Sequence, residues 1–170
     1  GFFEARMKMP KSGGLWPGFW LLPAKTAQGN VIWPPEIDVL EQYTNQPQLS
    51  WHTIHYNTAA QFNATDGASY LHAANLGDAF HTYSANWTPT EVIFYVDGME
   101  TFRTAAAAID VPMYMILNVG SGNLSGAPSA DLSSGTLEVD YVRVFANNDA
   151  FGLGGASGGP TATPRLNPTI

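Results

Sequence analysis

The sequence predicts an all-β fold, a sandwich of antiparallel sheets. Short apolar or alternating segments recur between residues 2 and 145, and they are separated by turn residues such as Gly, Pro, Asn and Asp. The chain also lacks the 3.6-residue period of a long amphipathic helix. Short strands at regular spacing, bounded by turn signals, are typical of sandwiches in which every strand gives one face to a shared core.

Composition limits the possible functions. The 170 residues suit one domain, and 45% of them are apolar, which is enough for a sizeable core. Only 12% are charged, against roughly 25% in typical soluble proteins, a balance that favours neutral polar ligands such as sugars. The net charge of −7 argues against a nucleic-acid partner. No apolar run approaches a membrane span, and the absence of Cys excludes disulfides and thiol chemistry.

The chain begins with two predicted strands. Residues 2–9 alternate between an apolar face and a solvated face that carries Glu4, Arg6 and Lys8. After a turn, residues 15–23 form a strongly aromatic segment whose two prolines and one glycine exclude a long helix. The segment Trp33-Pro34-Pro35, which its two prolines make rigid, then connects to the next strand.

The third predicted strand carries three carboxylates within six residues, Glu36-Ile37-Asp38-Val39-Leu40-Glu41. Alternation at its start predicts one buried face and one solvated face. Regular alternation would place Leu40, not Glu41, on the acidic face. One extra residue, a β-bulge near Val39-Leu40, returns Glu41 to the face of Glu36 and Asp38.

Carboxylates at this spacing suit glycoside hydrolysis. A retaining glycosidase needs a nucleophile and a general acid/base whose carboxyl groups lie about 5–5.5 Å apart. No Lys or Arg occurs between residues 26 and 102, so mutual repulsion of the acids should hold one proton to high pH. An exposed polar strand face and a cation site of oxygen ligands remain alternative interpretations.

The middle of the chain contains further strand signals. Residues 51–56 alternate, whereas residues 57–77 are polar and are predicted to form loops. Asp97-Gly98 separates two strand-like segments, residues 92–96 and 99–103, and Asp-Gly is typical of a type I′ hairpin turn.

The last third of the chain divides into a strand region and a tail. Residues 105–108 allow one helical turn at most, and residues 113–119 are predicted to form a strand buried on both faces. Residues 137–145 form the last predicted strand. From residue 147 onward Gly, Pro, Thr and Ser dominate, which indicates a flexible linker. We therefore expect a sandwich at residues 1–146 and a linker or disordered tail at 147–170, with a further module beyond it.

Six segments of the chain, taken in order, resemble glycoside hydrolase family 16, the laminarinase and endo-β-1,3(4)-glucanase group. They include the Glu-Ile-Asp-Val-Leu-Glu segment and Val96-Asp97-Gly98, and the resemblance extends from residue 1 to about residue 146. The six segments are residues 1–10, 14–23, 36–41, 80–87, 96–98 and 139–144.

The resemblance implies a concanavalin A-like jelly-roll of two antiparallel sheets with a cleft for polysaccharide. It implies that Glu36 is the nucleophile, Glu41 the acid/base, and Asp38 an assisting group. The implied activity is endo-acting, retaining hydrolysis of β-1,3 or mixed β-1,3/1,4 glucan. The alternatives are a hydrolase of galactan or bacterial exopolysaccharide and a non-catalytic glycan-binding module.

Four further residues are expected to contact substrate by this resemblance. His55 matches a cleft histidine, with a structural hydrogen-bonded role as the alternative. Trp16 and Trp20 match cleft-lining aromatics that stack on sugars, although a Trp in such a segment could equally belong to the core. Asn118, the one polar residue in an apolar strand, either donates to substrate or ties down a loop.

Two departures from the family pattern shape the remaining expectations. Family members carry additional N-terminal strands before the point matched by Gly1, so a truncated sandwich with an uncovered sheet edge is expected. Many bind a structural calcium through an early residue and an acid equivalent to Asp140, but the early ligand is absent here. We therefore expect no required metal or cofactor. By resemblance the protein should be a secreted monomer acting on a polysaccharide, without nucleic-acid or membrane partners.

Overall fold

The structure, a computed structural model, describes residues 1–105, 109–130 and 135–146. These residues form ten β-strands and one short 3-10 helix, Asn123–Ser125, so the predicted all-β class is confirmed. None of them forms a helix long and apolar enough to cross a membrane. The strands are β1 (Phe2–Lys8), β2 (Leu15–Pro23), β3 (Glu36–Glu41), β4 (Leu49–Tyr56), β5 (Ala64–Leu71), β6 (His81–Trp87), β7 (Glu91–Val96), β8 (Met99–Ala105), β9 (Met113–Ser121) and β10 (Glu138–Phe145).

The strands are arranged in two five-stranded sheets. The sheet with the order β5-β4-β3-β2-β9, here called the acidic sheet, has the three-carboxylate strand at its centre. The other sheet, called the back sheet, has the order β10-β1-β6-β7-β8. The pairings within both sheets are antiparallel.

The core lies between the two sheets and is filled by alternate residues of their central strands. Each fully buried Val, Leu, Ile, Phe or Met side chain contributes about 1.5–3 kcal/mol to stability relative to an exposed one. The acidic sheet contributes Phe19, Leu21, Ile37, Val39, Leu40 and Ile54, and the back sheet contributes Ala5, Met7, Tyr83, Ala85, Val92 and Phe94. This packing fixes which face of β3 is left for chemistry.

The predicted β-bulge in β3 is confirmed by its pairing on both sides. From Asp38 to Glu41 the chain advances three residues, while β2 advances only two, from Trp20 to Gly18. On the other side β4 likewise advances two residues. One extra residue in β3 therefore reverses the face on which the following side chains lie.

Two strand predictions were wrong, and both concern sheet edges. Residues 57–77 contain the edge strand β5, whose side chains are mostly exposed and so leave no apolar alternation in the sequence. Strand β9, predicted to be buried on both faces, is the opposite edge of the acidic sheet and is only partly buried. Residues 106–108 and 147–170 lie outside the described residues, so the helical turn and the tail stay predictions.

A charged residue of β1 was also misplaced by the sequence pattern. Glu4, expected on a solvated face, is only 2% exposed, and it accepts a hydrogen bond of 3.1 Å from the Tyr141 hydroxyl. Strand β1 is an inner strand of the back sheet, between β10 and β6. Arg6 pairs with Asp140 at 2.6 Å on the same sheet.

The turn that starts β2 requires glycine at residue 14. Gly14 has a φ of 78°, and a Cβ there would lie 2.4 Å from the Cα of Pro128. Gly29 has a φ of 81° but has no atom within 4 Å of the same position. A side chain at either position would therefore meet the same backbone strain, but only at residue 14 would it also clash with a neighbour.

We expect Gly14→Ala to destabilise the protein by about 3 kcal/mol, because about 1–2 kcal/mol of left-handed strain adds to about 1–3 kcal/mol of overpacking. Gly29→Ala, the matched control, should cost about 1 kcal/mol from the backbone alone. Chemical denaturation of both variants measures the difference. Equal losses would show that the contact with Pro128 does not constrain the turn.

Candidate active site

The outer face of the acidic sheet gathers the three carboxylates at its centre. Glu36, Asp38 and Glu41 share this face because of the bulge, as predicted. Residues directly opposite each other on neighbouring strands lie side by side on one face. Glu36 is therefore beside His55, and Glu41 is beside Trp51.

Glu41 is held by an indole from the neighbouring strand. Trp16 Nε1 donates a hydrogen bond of 2.9 Å to Glu41 Oε1. The Trp16 ring in turn lies 5.7 Å from Tyr43, whose ring lies 6.0 Å from Trp51. These aromatic rings leave Glu41 half-buried and fix one of its two oxygens.

Glu36 is held by a second indole. Trp33 Nε1 donates to Glu36 Oε2 at 2.7 Å, and the Trp33 side of the site is exposed. The centroid of the Trp33 ring lies 6.0 Å from that of His55 and 5.9 Å from that of Phe62, which it meets edge-on. Trp33 and Phe62 are 40% and 68% exposed, so they form an aromatic surface beside Glu36.

Asp38 differs from its two neighbours because it is buried. Only 3% of its surface is exposed, although alternation predicted a solvated position. Its Oδ2 lies 3.3 Å from His55 Nε2, an ion-pair distance. The other ring nitrogen, Nδ1 of His55, lies 3.0 Å from Asn63 Oδ1 and donates to it, since an amide oxygen only accepts. His55 therefore joins Asp38 to the loop that precedes β5.

The site favours protonated carboxyl groups. Burial raises the pKa of Asp38, and the charges of Glu36 and Glu41 raise it further while His55 acts against them. Burial also raises the pKa of Glu41, and the charge of Glu36 adds to this effect despite the Trp16 hydrogen bond. The contact with Asp38 raises the pKa of His55 to about 9. Burial, together with Glu41 and Asp38, raises the pKa of Tyr43 to about 12.

The remaining predicted residues lie next to this centre. Trp20 pairs with Asp38 across β2 and β3, and its Nε1 donates to Asn118 Oδ1 at 2.9 Å. Asn118 is exposed on β9. All seven predicted site residues therefore lie on β2, β3, β4 and β9 of one sheet, which the structure brings together.

Sequence reasoning missed Trp33, Phe62 and Asn63 as members of this surface. Trp33 was interpreted only as part of a stiff entry segment, although an indole three residues before Glu36 can reach its carboxylate. Phe62 and Asn63 lie in a segment interpreted as plain loop. Their only sequence signal was an isolated aromatic residue beside polar ones.

Three side chains of the site could also hold a cation. Single ligand atoms of Glu36, Asp38 and His55 lie within 4.8 Å of one another. Such carboxylate and imidazole groups are ordinary metal ligands. In this structure, however, the same Asp38 oxygen already faces the His55 nitrogen.

A β-sandwich with a group of carboxylates and indoles on the face of one sheet defines a class of carbohydrate-active proteins. The profile of the family described as glycosyl hydrolases family 16 matches residues 1–143. The chain belongs to this family, as the resemblance indicated.

Individual relatives agree with this assignment. The chain is 35% identical over 149 residues to endo-1,3-1,4-beta-glycanase EglC of Rhizobium meliloti, covering 86% of this chain and 30% of the relative. It is 32% identical to glucan endo-1,3-beta-glucosidase A1 of Niallia circulans, covering 85% of this chain and 24% of the relative. The chain thus spans less than a third of the length of these two relatives.

Solved structures match as well. The laminarinase catalytic domain from Thermotoga maritima MSB8 superposes with a TM-score of 0.74 at 28% identity. The match covers 86% of this chain and 64% of that domain. The jelly-roll architecture expected from the sequence is therefore confirmed.

We expect the stability of the protein to decrease with rising pH more steeply in the wild type than in Asp38→Asn. The folded-state pKa values of Asp38 and His55 are both raised, so the folded state binds extra protons, and this stability is lost as pH rises through those values. An ordinary carboxyl pKa is about 4. Between about pH 4 and pH 8 the free energy of unfolding of the variant, relative to that of the wild type, should rise by about 1 kcal/mol or more. Thermal unfolding across this range measures it. Parallel curves would contradict the buried carboxyl as the cause.

Proposed function

We propose that this protein is an endo-acting, retaining hydrolase of β-1,3 or mixed β-1,3/1,4 glucan. The observation that carries the proposal is the placement of two glutamates on one face of β3, each held by its own indole donor. A buried aspartate lies between them in sequence and on the same face. Retaining glycosidases use two carboxyl groups in this way, one as nucleophile and one as acid/base.

The two glutamates are suited to different roles. Glu36 lies on the exposed, aromatic side of the site, and a 2.7 Å hydrogen bond from Trp33 fixes one of its two carboxylate oxygens. We assign it the nucleophile's role. Burial raises the pKa of Glu41, so this carboxyl holds its proton to higher pH than an ordinary glutamate does, which suits a general acid. We assign it the role of general acid.

The reaction then proceeds in two balanced steps. Glu41 gives its proton to the glycosidic oxygen as the Glu36 carboxylate attacks the anomeric carbon, so the sugar–oxygen bond breaks and a glycosyl ester forms. Ionised Glu41 next takes a proton from water, whose oxygen attacks the same carbon. The ester bond to Glu36 breaks, and both carboxyl groups return to their first states.

Asp38 and His55 control protons beneath this pair. The buried carboxyl of Asp38 can hold a proton itself or share one with His55, whose Nε2 lies 3.3 Å away. The negative charge next to Glu36 can therefore be reduced. Without such sharing, three carboxylates would repel one another at this site. Asp38 is thus assigned an assisting role rather than bond-making chemistry.

The substrate assignment rests on the aromatic surface and on the relatives. Exposed flat rings stack on the apolar faces of pyranose sugars, and Trp33 and Phe62 offer such rings beside Glu36. The Trp20–Asn118 pair borders the other side of the carboxylates. Trp16, which donates to Glu41, and His55, which lies at ion-pair distance from Asp38, are assigned to the sugar next to the cleaved bond. The named activities of the relatives favour β-1,3 and β-1,3-1,4 linkages.

Two alternatives define the range of outcomes. A hydrolase of galactan or of bacterial exopolysaccharide would use the same carboxyl groups with different sugar contacts. A non-catalytic binding module would be expected to lack one glutamate, and both are present. We also infer that residues 1–146 are part of the catalytic sandwich, supported by the family match to residue 143 and by β10 ending at Phe145. A polymeric substrate further favours a secreted, monomeric enzyme acting outside the cell.

We expect Glu36→Ala and Glu41→Ala each to lower kcat on laminarin by about 10³-fold or more, and azide to rescue them with opposite stereochemistry. With a dinitrophenyl β-glucoside oligomer, azide replaces the nucleophile in Glu36→Ala and gives the α-glycosyl azide. In Glu41→Ala azide intercepts the glycosyl ester and gives the β-azide. Nuclear magnetic resonance of the products distinguishes the two.

The control for this experiment is Glu100→Gln, an exposed glutamate of the back sheet that should retain activity. Retained cleavage in either active-site variant would refute the two-glutamate mechanism. Binding of laminarin by the wild type without cleavage would favour the binding module. Cleavage of galactan but not of laminarin would favour a galactan hydrolase.

We expect removal of divalent cations to leave both activity and melting temperature unchanged, because Asp38 is already matched by His55. Dialysis against EDTA followed by a laminarin assay and a thermal melt tests this. A ligand present at a free concentration of 100 times its Kd would stabilise the fold by about 2.7 kcal/mol. A fall in melting temperature that calcium reverses would therefore favour the cation site at Glu36, Asp38 and His55.

A further inference from the structure

The bulge in β3 is backed by one residue of the neighbouring strand. Val39 and Leu40 together lie opposite a single residue of β4, His52. All three side chains are fully buried on the core side of the sheet. Glu41, the next residue of β3, returns to the outer face. His52 thus lies directly behind the backbone turn that aims Glu41.

His52 also makes a hydrogen bond to the bulge itself. Its Nδ1 lies 2.8 Å from the carbonyl oxygen of Val39. Because a carbonyl only accepts, Nδ1 carries the proton and donates it. A bulge disrupts the ladder at its extra residue, and here a side chain supplies a donor at that point. Burial lowers the pKa of His52 to about 4, so the ring is neutral at ordinary pH.

The other end of the ring is fixed by the back sheet. His52 Nε2 lies 3.0 Å from the Thr101 hydroxyl, with the Ser50 hydroxyl at 3.3 Å. Thr101 is the extra residue of a second irregularity, since β8 advances two residues while β7 advances one, from Phe94 to Tyr95. The ring also lies against Phe94, with centroids 5.2 Å apart. A single imidazole therefore connects the bulges of the two sheets.

We propose that His52 is a positioning residue for the general acid: its bond to Val39 fixes the bulge so that the Glu41 carboxyl meets the glycosidic oxygen. This inference rests on the proposed role of Glu41. His52 is buried and touches no substrate. Its effect is geometric, and a misplacement of about 1 Å in a reacting group can cost about 10²-fold in rate.

Two amide side chains of different length, Asn and Gln, test the two ends of the ring separately. The amide nitrogen of His52→Asn falls near the position of Nδ1 and can still donate to Val39. The longer His52→Gln places its amide near Nε2, so it can bond Thr101 but leaves the bulge without its donor. Both variants lose the packing on Phe94, so they should lose similar stability. His52→Phe keeps the ring, lacks both nitrogens, and serves if the glutamine variant does not fold.

The leaving group of the substrate supplies the readout, in the full chain. Laminarin needs protonation of a poor leaving group, whereas a dinitrophenyl glycoside departs without an acid. We expect His52→Gln and His52→Phe to lower kcat/KM on laminarin about 10- to 100-fold and to change kcat/KM on the dinitrophenyl substrate less than about threefold, because kcat/KM reports the first step, in which only laminarin needs the acid. His52→Asn should restore laminarin cleavage to within about threefold of wild type.

Other outcomes overturn the proposal. Equal losses on both substrates, following melting temperature, would make His52 a structural residue only, and unchanged laminarin cleavage in His52→Gln would deny it any role. Crystal structures give a test that needs no activity: the 2.9 Å bond from Trp16 to Glu41 should persist in His52→Asn and lengthen in His52→Gln. If the wild type cleaves nothing, the proposed function fails; an unmoved Glu41 in these structures would separately refute the positioning role.

Discussion

The chemistry of this fold depends on one extra residue in a central strand. Side chains of a strand alternate between faces, so residues 36, 38 and 40 would share the outer face of a regular β3. The bulge at Val39-Leu40 turns both apolar side chains inward and brings Glu41 outward. Without it a glutamate would enter the core, where an unpaired charge costs several kcal/mol. The sheet, its core and its carboxylates are therefore consistent only with the bulge in place.

The three acids of this strand have three different environments. Glu36 lies beside exposed aromatic rings, Asp38 is buried against a histidine, and Glu41 is half-buried beneath an indole. Burial raises the pKa of both Asp38 and Glu41, so the environment rather than the residue type alters the protonation of these two carboxyl groups. The two indoles each hold one oxygen of a glutamate. Rigid partners of this kind favour catalysis by positioning.

Much of this arrangement could be predicted from the sequence because local pattern determined it. The bulge followed from a mismatch between the acid spacing and strand alternation, and Asp97-Gly98 indicated the hairpin that joins β7 to β8. The failures arose where burial depends on neighbours distant in sequence. Edge strand β5 buries little, so it has no apolar period, and Asp38 is covered by residues that its own strand does not specify. The contact between Trp33 and Glu36 is local, since the two residues are three apart, and it was missed because Trp33 was interpreted only as part of the segment that enters β3.

The sign of charge on the acidic sheet carries a consequence for glycan selection. Its five strands contain no Lys or Arg in any described position, whereas β3 alone contributes three acids. Anionic polymers, such as those bearing sulfate or uronate groups, would approach this surface against a repulsive field that weakens only at high ionic strength. Uncharged glucans meet no such barrier. We therefore expect the charge of this sheet to disfavour anionic polysaccharides before any individual sugar is recognised.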